Sequence, residues 1–310
     1  MIVRMRKRGE RVVRWPLVLL FLLFAKLPAG AQEPVISVDV NLVMLQASVH
    51  DHRGHDVVNL RKEDFTLEEN GVPQTIRLFQ REDAPVTVGL IVDHSGSMEE
   101  KLGEVIAAAR TFVQSSNPKD EMFVLNFNEK VVSGLVNKPF SDDPVELESA
   151  VASTPPVGET ALYDAIAAGL EKLDTGHWDK KVLLVISDGG DNASRRTLAD
   201  VTTMAERSSA TIYTIGLFAP YDRDANPGVL KRLAETTGGE AFFPKQFDQI
   251  AEICHHIAGD IRSQYSIGYV SSSGAADDSY RTIRLLAATP GMGKLHVRTR
   301  RGYIARGSVK

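Results

Sequence analysis

Five oxygen-bearing side chains lie in three separate stretches of the sequence, where together they could bind a metal ion. Three of them alternate with other residues in one pentapeptide, and the other two follow at a distance along the chain. Ligands that are all carboxylate or hydroxyl oxygens suit a hard cation, Mg²⁺, Ca²⁺ or Mn²⁺, and do not suit zinc. The candidate metal ligands are Asp93, Ser95, Ser97, Thr160 and Asp188.

The elements around these residues predict that all five meet at one edge of a sheet. Asp93 follows the almost wholly apolar run 86–92, which is typical of a strand buried on both faces. Thr160 precedes a helical stretch at 161–173, and Asp188 comes just after an apolar strand at 182–186. In open α/β sheets, ligands bind at the carboxyl ends of the strands. We therefore expect the five side chains at the solvent edge of the sheet.

Strands alternate with helices from residue 86 to residue 261, and this order predicts the fold class. It indicates an α/β fold with a doubly wound, mostly parallel sheet and helices on both faces. The flanking stretches 35–84 and 264–310 show strand patterns and turns instead. Neither stretch has enough strands for a stable core. We therefore expect them to pair as a small all-β domain into which the α/β domain is inserted.

Two hairpins are predicted within these flanking stretches. Asn70-Gly71 is a strong turn signal between the strands 65–67 and 76–78. Pro290-Gly291 similarly separates the strands 282–287 and 295–299. In each case we expect the two strands to pair with one another.

The first 31 residues have the layout of a secretory signal peptide. Six basic residues precede the apolar run 17–25, and Ala29-Gly-Ala31 supplies small residues before a cleavage point. We expect cleavage after Ala31; an uncleaved N-terminal membrane anchor is the alternative. Either outcome places the protein outside the cytoplasm, in the periplasm, on the cell surface or secreted. The predicted domains are 1–31 (signal peptide), 32–84 (β segment), 85–263 (α/β domain) and 264–310 (β segment).

The net charge indicates which partners the chain can bind, and the cysteine count indicates whether a disulfide stabilises it. The signal segment carries 7 of the 36 Lys and Arg residues and 1 of the 40 Asp and Glu residues, so the mature chain has 29 against 39, a net of −10. Such an acidic chain is a poor nucleic-acid binder. Cys254 is the single cysteine, which excludes a disulfide within the chain. Its apolar neighbours predict a buried thiol.

The five candidate ligands resemble the metal ion-dependent adhesion site of von Willebrand factor type A domains. That pattern is Asp-x-Ser-x-Ser, then a distant Thr and a distant Asp, and Asp93, Ser95, Ser97, Thr160 and Asp188 match it completely. The resemblance covers about residues 86–263. It implies one divalent cation, with Mg²⁺ the first choice and Mn²⁺ or Ca²⁺ the alternatives. It also implies that the hydroxyls contact the metal directly, that the aspartates act largely through water, and that one position stays open for a carboxylate of a protein partner.

The flanks are similar to a bacterial group in which a von Willebrand factor type A domain is inserted in a β unit. The similarity rests on the run 60–71, on Gln74-x-Ile-x-x-Phe79 before the domain and on Tyr265-x-x-Gly-Tyr269 after it. It implies architecture and adds almost nothing about function. Asp164 is predicted to support the site from a second layer, and Glu159, Asp191 and Asn192 are polar groups nearby.

The sequence gives weaker evidence for other functions. Each ligand taken alone could simply cap a helix or close a turn. A hydrolase would need Gly-x-Ser-x-Gly at a strand-to-helix turn, which neither Ser95 nor Ser97 has. No phosphate-binding loop is present, so we expect no enzyme. His50, His52 and His55 could form a weak metal site, although a solvated turn is the simpler interpretation. A structural envelope module with a fold-stabilising cation remains the first alternative function, and a metal-dependent hydrolase is the second.

Overall fold

The computed structural model describes residues 42–305, except 82, 219–224, 275 and 276. The predicted signal peptide and the strand expected at 35–41 lie outside the described residues. Within this range the helices are α1 (Leu102–Ser115), α2 (Pro144–Val151), α3 (Leu162–Leu173), α4 (Leu198–Arg207), α5 (Pro227–Thr237) and α6 (Ile250–Ser263). The strands are β1 (Leu42–His50), β2 (Phe65–Glu69), β3 (Val72–Pro73), β4 (Ile76–Gln80), β5 (Thr87–Asp93), β6 (Glu121–Phe127), β7 (Val131–Ser133), β8 (Lys181–Ser187), β9 (Thr211–Gly216), β10 (Ala241–Phe242), β11 (Tyr265–Val270), β12 (Tyr280–Ala287), β13 (His296–Arg298) and β14 (Gly302–Ile304).

The central sheet has six strands in the order β10-β9-β8-β5-β6-β7. All neighbours pair in parallel except β6 and β7, which are antiparallel. Every residue of β5 is buried, because helices pack on both faces of the sheet. Helix α1 packs against α2 and α6, whereas α4 packs against α3 and α5. The strands β5 and β8 are neighbours, so their carboxyl ends meet at one edge.

Two antiparallel sheets combine strands from both ends of the described chain. One has the order β13-β1-β11-β4 and the other β14-β12-β2-β3. In the first, Leu45 lies opposite Ile267; in the second, Leu67 lies opposite Leu285. These four residues belong to a single buried cluster, separate from the core of the central sheet. The predicted fold class is thereby confirmed, including the antiparallel sheets built from the two flanking segments.

The first predicted hairpin has a different partner strand from the one expected. Asn70 and Gly71 form the turn with φ angles of 50° and 77°, but β2 continues into the two-residue strand β3. Strand β4 crosses to the other sheet and pairs with β11. Pro73 has no N–H to donate, and a proline of this kind ends a ladder. The predicted pairing of 65–67 with 76–78 is therefore wrong.

The second predicted hairpin is also wrong. Strand β12 pairs with β14 and β2, whereas β13 pairs with β1 in the other sheet. Arg298, in β13, forms ion pairs with Glu240 and with the buried Asp260 of α6. These contacts lie far away in the sequence, so the local pattern at 282–299 predicts strands there but cannot specify their partners.

Candidate functional site

Asp93 ends β5 and is held rigidly by its neighbours. Its Oδ1 accepts a hydrogen bond from the Ser95 backbone N–H at 2.8 Å, and its Oδ2 accepts one from the Ser187 hydroxyl at 2.6 Å. The side chain is fully buried. Both carboxylate oxygens therefore have a fixed direction at the end of the sheet.

A chain of short contacts joins the pentapeptide to the neighbouring strand. The turn 96–98 is a single turn of 3₁₀ helix, which brings the Ser95 and Ser97 hydroxyls to 3.1 Å. Ser97 donates to Asp188 Oδ2 at 2.5 Å, and Asp188 directly follows β8. Asp188 Oδ1 accepts from the Gly190 N–H at 3.0 Å. The structure thus brings four of the five predicted residues into one hydrogen-bonded group.

Thr160 lies on a loop that is bonded to the pentapeptide. The Gly96 N–H donates to the Gly158 carbonyl at 3.1 Å, which fixes this loop beside the turn. Gly158 has a φ of +93°, a left-handed backbone conformation that strains any other residue. Thr160 is buried, and its backbone N–H donates to Asn192 Oδ1 at 2.8 Å. The loop after β8 therefore positions the threonine.

Burial of the site differs from the sequence expectation. We expected side chains at the solvent edge, but four of the five are less than a tenth exposed and Ser97 alone is exposed. The loops 157–160 and 189–193 cover the strand ends, and Gly189 has a φ of +79° with the Asn226 carbonyl so close that a side chain would clash. The apolar pattern predicts where each strand ends. The exposure of the candidate ligands depends on how the loops pack over the strand ends, which that pattern does not predict.

The electrostatics favour a positive ion between these residues. Burial raises the pKa of Asp93 to about 6, and the nearby charge of Asp188 adds to this rise, against hydrogen bonds from Ser187 and Ser95. The hydrogen bonds that both aspartates accept come from neutral hydroxyls and backbone amides. Two ionised carboxylates in this setting repel one another, which a dication would relieve. The all-oxygen donor set of Asp93, Ser95, Ser97, Thr160 and Asp188 fits Mg²⁺, Mn²⁺ or Ca²⁺.

The predicted supporting residue Asp164 has another role. Its carboxylate accepts from the Arg195 and Arg196 backbone N–H groups at 3.0 and 3.2 Å and pairs with the Arg196 side chain at 3.4 Å. It therefore fixes the loop before α4, and none of these contacts involves a candidate ligand. The residues that do support the site are Ser187 and Asn192. Ser187 directly precedes the candidate ligand Asp188, and Asn192 lies four residues after Asp188.

The histidines form no cluster of three. His55 Nδ1 lies 3.3 Å from Asp51 Oδ2 in an exposed turn, whereas His50 Nε2 lies 3.0 Å from Asp56 Oδ1.

Cys254 is buried in the central core, as predicted, and burial raises the pKa of its thiol to about 12. Among residues 42–305, with the gaps given above, no helix has the length and apolar character needed to cross a membrane.

Three solved structures are similar to this chain, and the first two support the same fold. A von Willebrand factor type A protein from Catenulispora acidiphila is 16% identical, with a TM-score of 0.53 over 77% of this chain and 73% of that one. Proximal thread matrix protein 1 from the mussel byssus is 14% identical, with a TM-score of 0.50 over 63% and 51%. The von Willebrand factor domain of the type V pili tip protein Mfa5 from Porphyromonas gingivalis is 14% identical, with a TM-score of 0.48 over 57% and 95%.

Sequence comparison identifies the family. No curated protein matches the chain. A family model described as the von Willebrand factor type A domain matches residues 88–256, more than half of the 310 residues. The matched range contains β8, all of β5 except Thr87, and all five candidate ligands. The chain therefore belongs to the von Willebrand factor type A domain family.

Proposed function

We propose that this is an exported protein that binds one divalent cation through Asp93, Ser95, Ser97, Thr160 and Asp188 and uses it to bind an acidic group on a protein partner. The observation that carries the proposal is the short chain of contacts from Asp93 through the two serines to Asp188. These contacts place buried carboxylates and hydroxyls together at the carboxyl edge of the sheet.

The ligand chemistry explains why such a site would attract an anion. Three of the five ligands are neutral hydroxyls, and we propose that Asp93 and Asp188 act largely through water, so that no charged ligand of the protein contacts the cation directly. A bound cation would supply electrophilic character toward a partner carboxylate. Ser97 is the exposed member of the set and marks the side from which the partner approaches. The fixed backbone contacts of Asp93 and Thr160 keep the ligand positions organised before binding.

A second candidate function is a structural module whose cation stabilises the fold. The burial of Asp93 and Asp188 favours it, because two buried carboxylates without a cation destabilise the native state. Binding confined to the native state stabilises by mass action. Chelation separates the two functions: an interaction module loses its partner but stays folded, whereas a structural module unfolds.

The proposed setting is the periplasm, the cell surface or the medium, with cleavage after Ala31. The proposal assigns no catalysis and no nucleic-acid binding, and it involves a membrane only if the N-terminal segment stays uncleaved. Intact-mass measurement of the exported protein tests cleavage, since a mass that retains residues 1–31 supports the anchored alternative.

A pulldown tests the partner. The mature protein is immobilised and incubated with native envelope extract in Mg²⁺ or in chelator, beside Ser97→Ala, which removes the exposed hydroxyl ligand. We expect proteins that are retained only in Mg²⁺ and only by the unmodified protein. The control is Ser149→Ala, an exposed serine on α2 whose hydroxyl only bonds the Val145 carbonyl. Retention that is equal in chelator, or equal for Ser97→Ala, contradicts the adhesion mechanism.

A further inference from the structure

A second group of metal-ligating side chains lies where the antiparallel sheets meet α6. His50 ends β1, Asp56 follows in the next turn, and Asp260 lies on α6. Each offers a ligand atom, and these atoms all lie within 4.8 Å of one another. His50 Nε2 and Asp56 Oδ1 are 3.0 Å apart. The group contains an imidazole nitrogen as well as carboxylates, unlike the all-oxygen site at β5.

The carboxylate of Asp260 is incompletely satisfied. Its side chain is 1% exposed, and its Oδ2 accepts from the Tyr213 hydroxyl and from Arg298 Nη2, both at 2.5 Å. Its Oδ1 is buried and, among the residues that the structure describes, makes no hydrogen bond of normal geometry, although the Ser48 hydroxyl lies near enough to the carboxylate to help lower its pKa. A buried acceptor oxygen that makes no hydrogen bond loses its hydration without compensation, which destabilises the folded protein. The Asp260 Oδ1 atom is therefore available to bind a metal ion.

The charged side chains around His50, Asp56 and Asp260 also favour binding of a cation. Arg298 pairs with Asp260 and, at 2.6 Å, with Glu240, while Asp56 pairs with His50. The ammonium of Lys180 also interacts with Asp260. With His50 neutral, the three carboxylates exceed the two cationic groups by one charge, and this excess attracts a cation. Arg298 contacts Oδ2 of Asp260 and so leaves Oδ1 available.

Access and ligand number are consistent with a metal. His50 is 19% exposed and Asp56 is 40% exposed at the side chain, so an ion could reach the buried Asp260 from their side. A cavity of about 550 Å³, lined in part by His50, Glu240 and Arg298, adjoins the group. Three protein ligands with water in a fourth position form a common zinc arrangement.

We propose that His50, Asp56 and Asp260 form a second metal site, separate from the site at β5, that binds a divalent transition metal of the zinc class. Mixed nitrogen and oxygen ligands favour such metals over Mg²⁺ and Ca²⁺. The ligands come from β1, from the turn after it and from α6. The metal therefore fastens the antiparallel sheets to the last helix of the α/β unit.

The test uses the mature chain carrying Asp93→Ala, so that the site at β5 does not contribute. Zinc is titrated in competition with a chromophoric chelator, and cobalt is added as a spectroscopic probe. We expect about one equivalent of zinc, a cobalt spectrum with nitrogen coordination and a higher unfolding temperature with zinc. In this background, His50→Gln and Asp56→Asn should each weaken zinc binding by at least roughly tenfold.

His55→Gln is the matched control, because His55 lies in the same turn region and its side chain pairs with the half-buried Asp51, outside the proposed ligand group. It should bind zinc like its parent. If zinc fails to bind, or binds His50→Gln as tightly as the parent, the group is only an ion pair between His50 and Asp56 and the proposal is wrong. Circular dichroism of each variant establishes that it is folded. The result is independent of Mg²⁺ binding at β5, which is measured separately on the unmodified protein.

Discussion

Glu69 is the residue at which a single substitution should most clearly weaken the antiparallel sheets. It is fully buried at the end of β2, yet its carboxylate accepts four hydrogen bonds from residues near the other end of the described chain. The donors and distances are Tyr269 (2.6 Å), Tyr303 (2.9 Å), Ser271 (2.5 Å) and Ser273 (2.7 Å). The network joins the N-terminal segment to the C-terminal one.

Glu69→Gln keeps the size of the side chain but replaces one acceptor oxygen with an amide. Two of the four hydroxyls then lose their acceptor. A hydrogen bond to a charged group contributes about 1.5–3 kcal/mol, and the new NH₂ recovers part of that loss. The buried guanidinium of Arg281, 3.6 Å from Glu69 Oε1, also loses its charge partner, so we expect the free energy of unfolding to fall by about 3–5 kcal/mol. Urea denaturation followed by circular dichroism measures this change.

The effect should depend on pH in a definite direction. Burial opposes ionisation of Glu69, but the hydrogen bonds from Ser271, Tyr269, Ser273 and Tyr303 outweigh it and lower its pKa below the usual 4.5. A carboxyl with a lowered folded pKa stabilises the protein fully above its unfolded pKa. That contribution disappears as the pH falls below 4.5, so the unmodified protein and Glu69→Gln should converge in acid.

The neighbouring Glu68 provides the control. It lies on the opposite face of β2 and makes a surface ion pair with Arg284 at 3.4 Å. Such a pair contributes little, so Glu68→Gln should change stability by about 0.5 kcal/mol or less. If Glu69→Gln unfolds at the same urea concentration as Glu68→Gln, the buried network does not hold the two segments together and the reasoning is refuted.

Three further predictions concern the metal ligands, the thiol and the paired segments. Thr160→Ala should weaken Mg²⁺ affinity by roughly tenfold and Asp93→Ala should weaken it more, because the latter also removes charge; equal affinities in calorimetry contradict this order. Cys254 should not react with a thiol reagent at pH 8 until the protein unfolds, because it is buried and its pKa is raised to about 12; rapid labelling of the native protein contradicts this. Deleting 264–310 removes the partners of β1, β2 and β4, so residues 42–80 should become sensitive to protease; unchanged protection refutes a shared core.

Buried parallel strands and their order along the chain were predictable from sequence, because an almost wholly apolar run such as 86–92 has few alternatives. Strand partners in the flanking sheets were not. The pattern at 295–299 predicts a strand, but the ion pair between Arg298 and Asp260 joins residues that only the folded chain brings together. The turn at Asn70-Gly71 was predictable, whereas the early end of its ladder depended on the effect of Pro73.

Helix α2 was missed although its start carries a signal. Asp143 caps it by accepting from the Val145 N–H at 2.8 Å, and Pro144 occupies the first helical position. The helix has only eight residues, which gives little apolar periodicity to detect.

At the candidate site, the ligand types and their spacing were visible in the sequence. The supporting contacts of Ser187 and Asn192 were not, because they link loops that only the folded sheet brings together.

Calorimetric titration of the mature protein with Mg²⁺ tests the central claim most directly. We predict binding of one cation, with Mn²⁺ and Ca²⁺ competing for the same position, and loss of that binding in Asp93→Asn, which keeps the shape of the side chain but removes its charge. Circular dichroism on the same samples establishes that both proteins are folded. If the folded, unmodified protein takes up no cation at millimolar concentrations, or if Asp93→Asn binds Mg²⁺ equally well, the metal site at β5 does not exist as described.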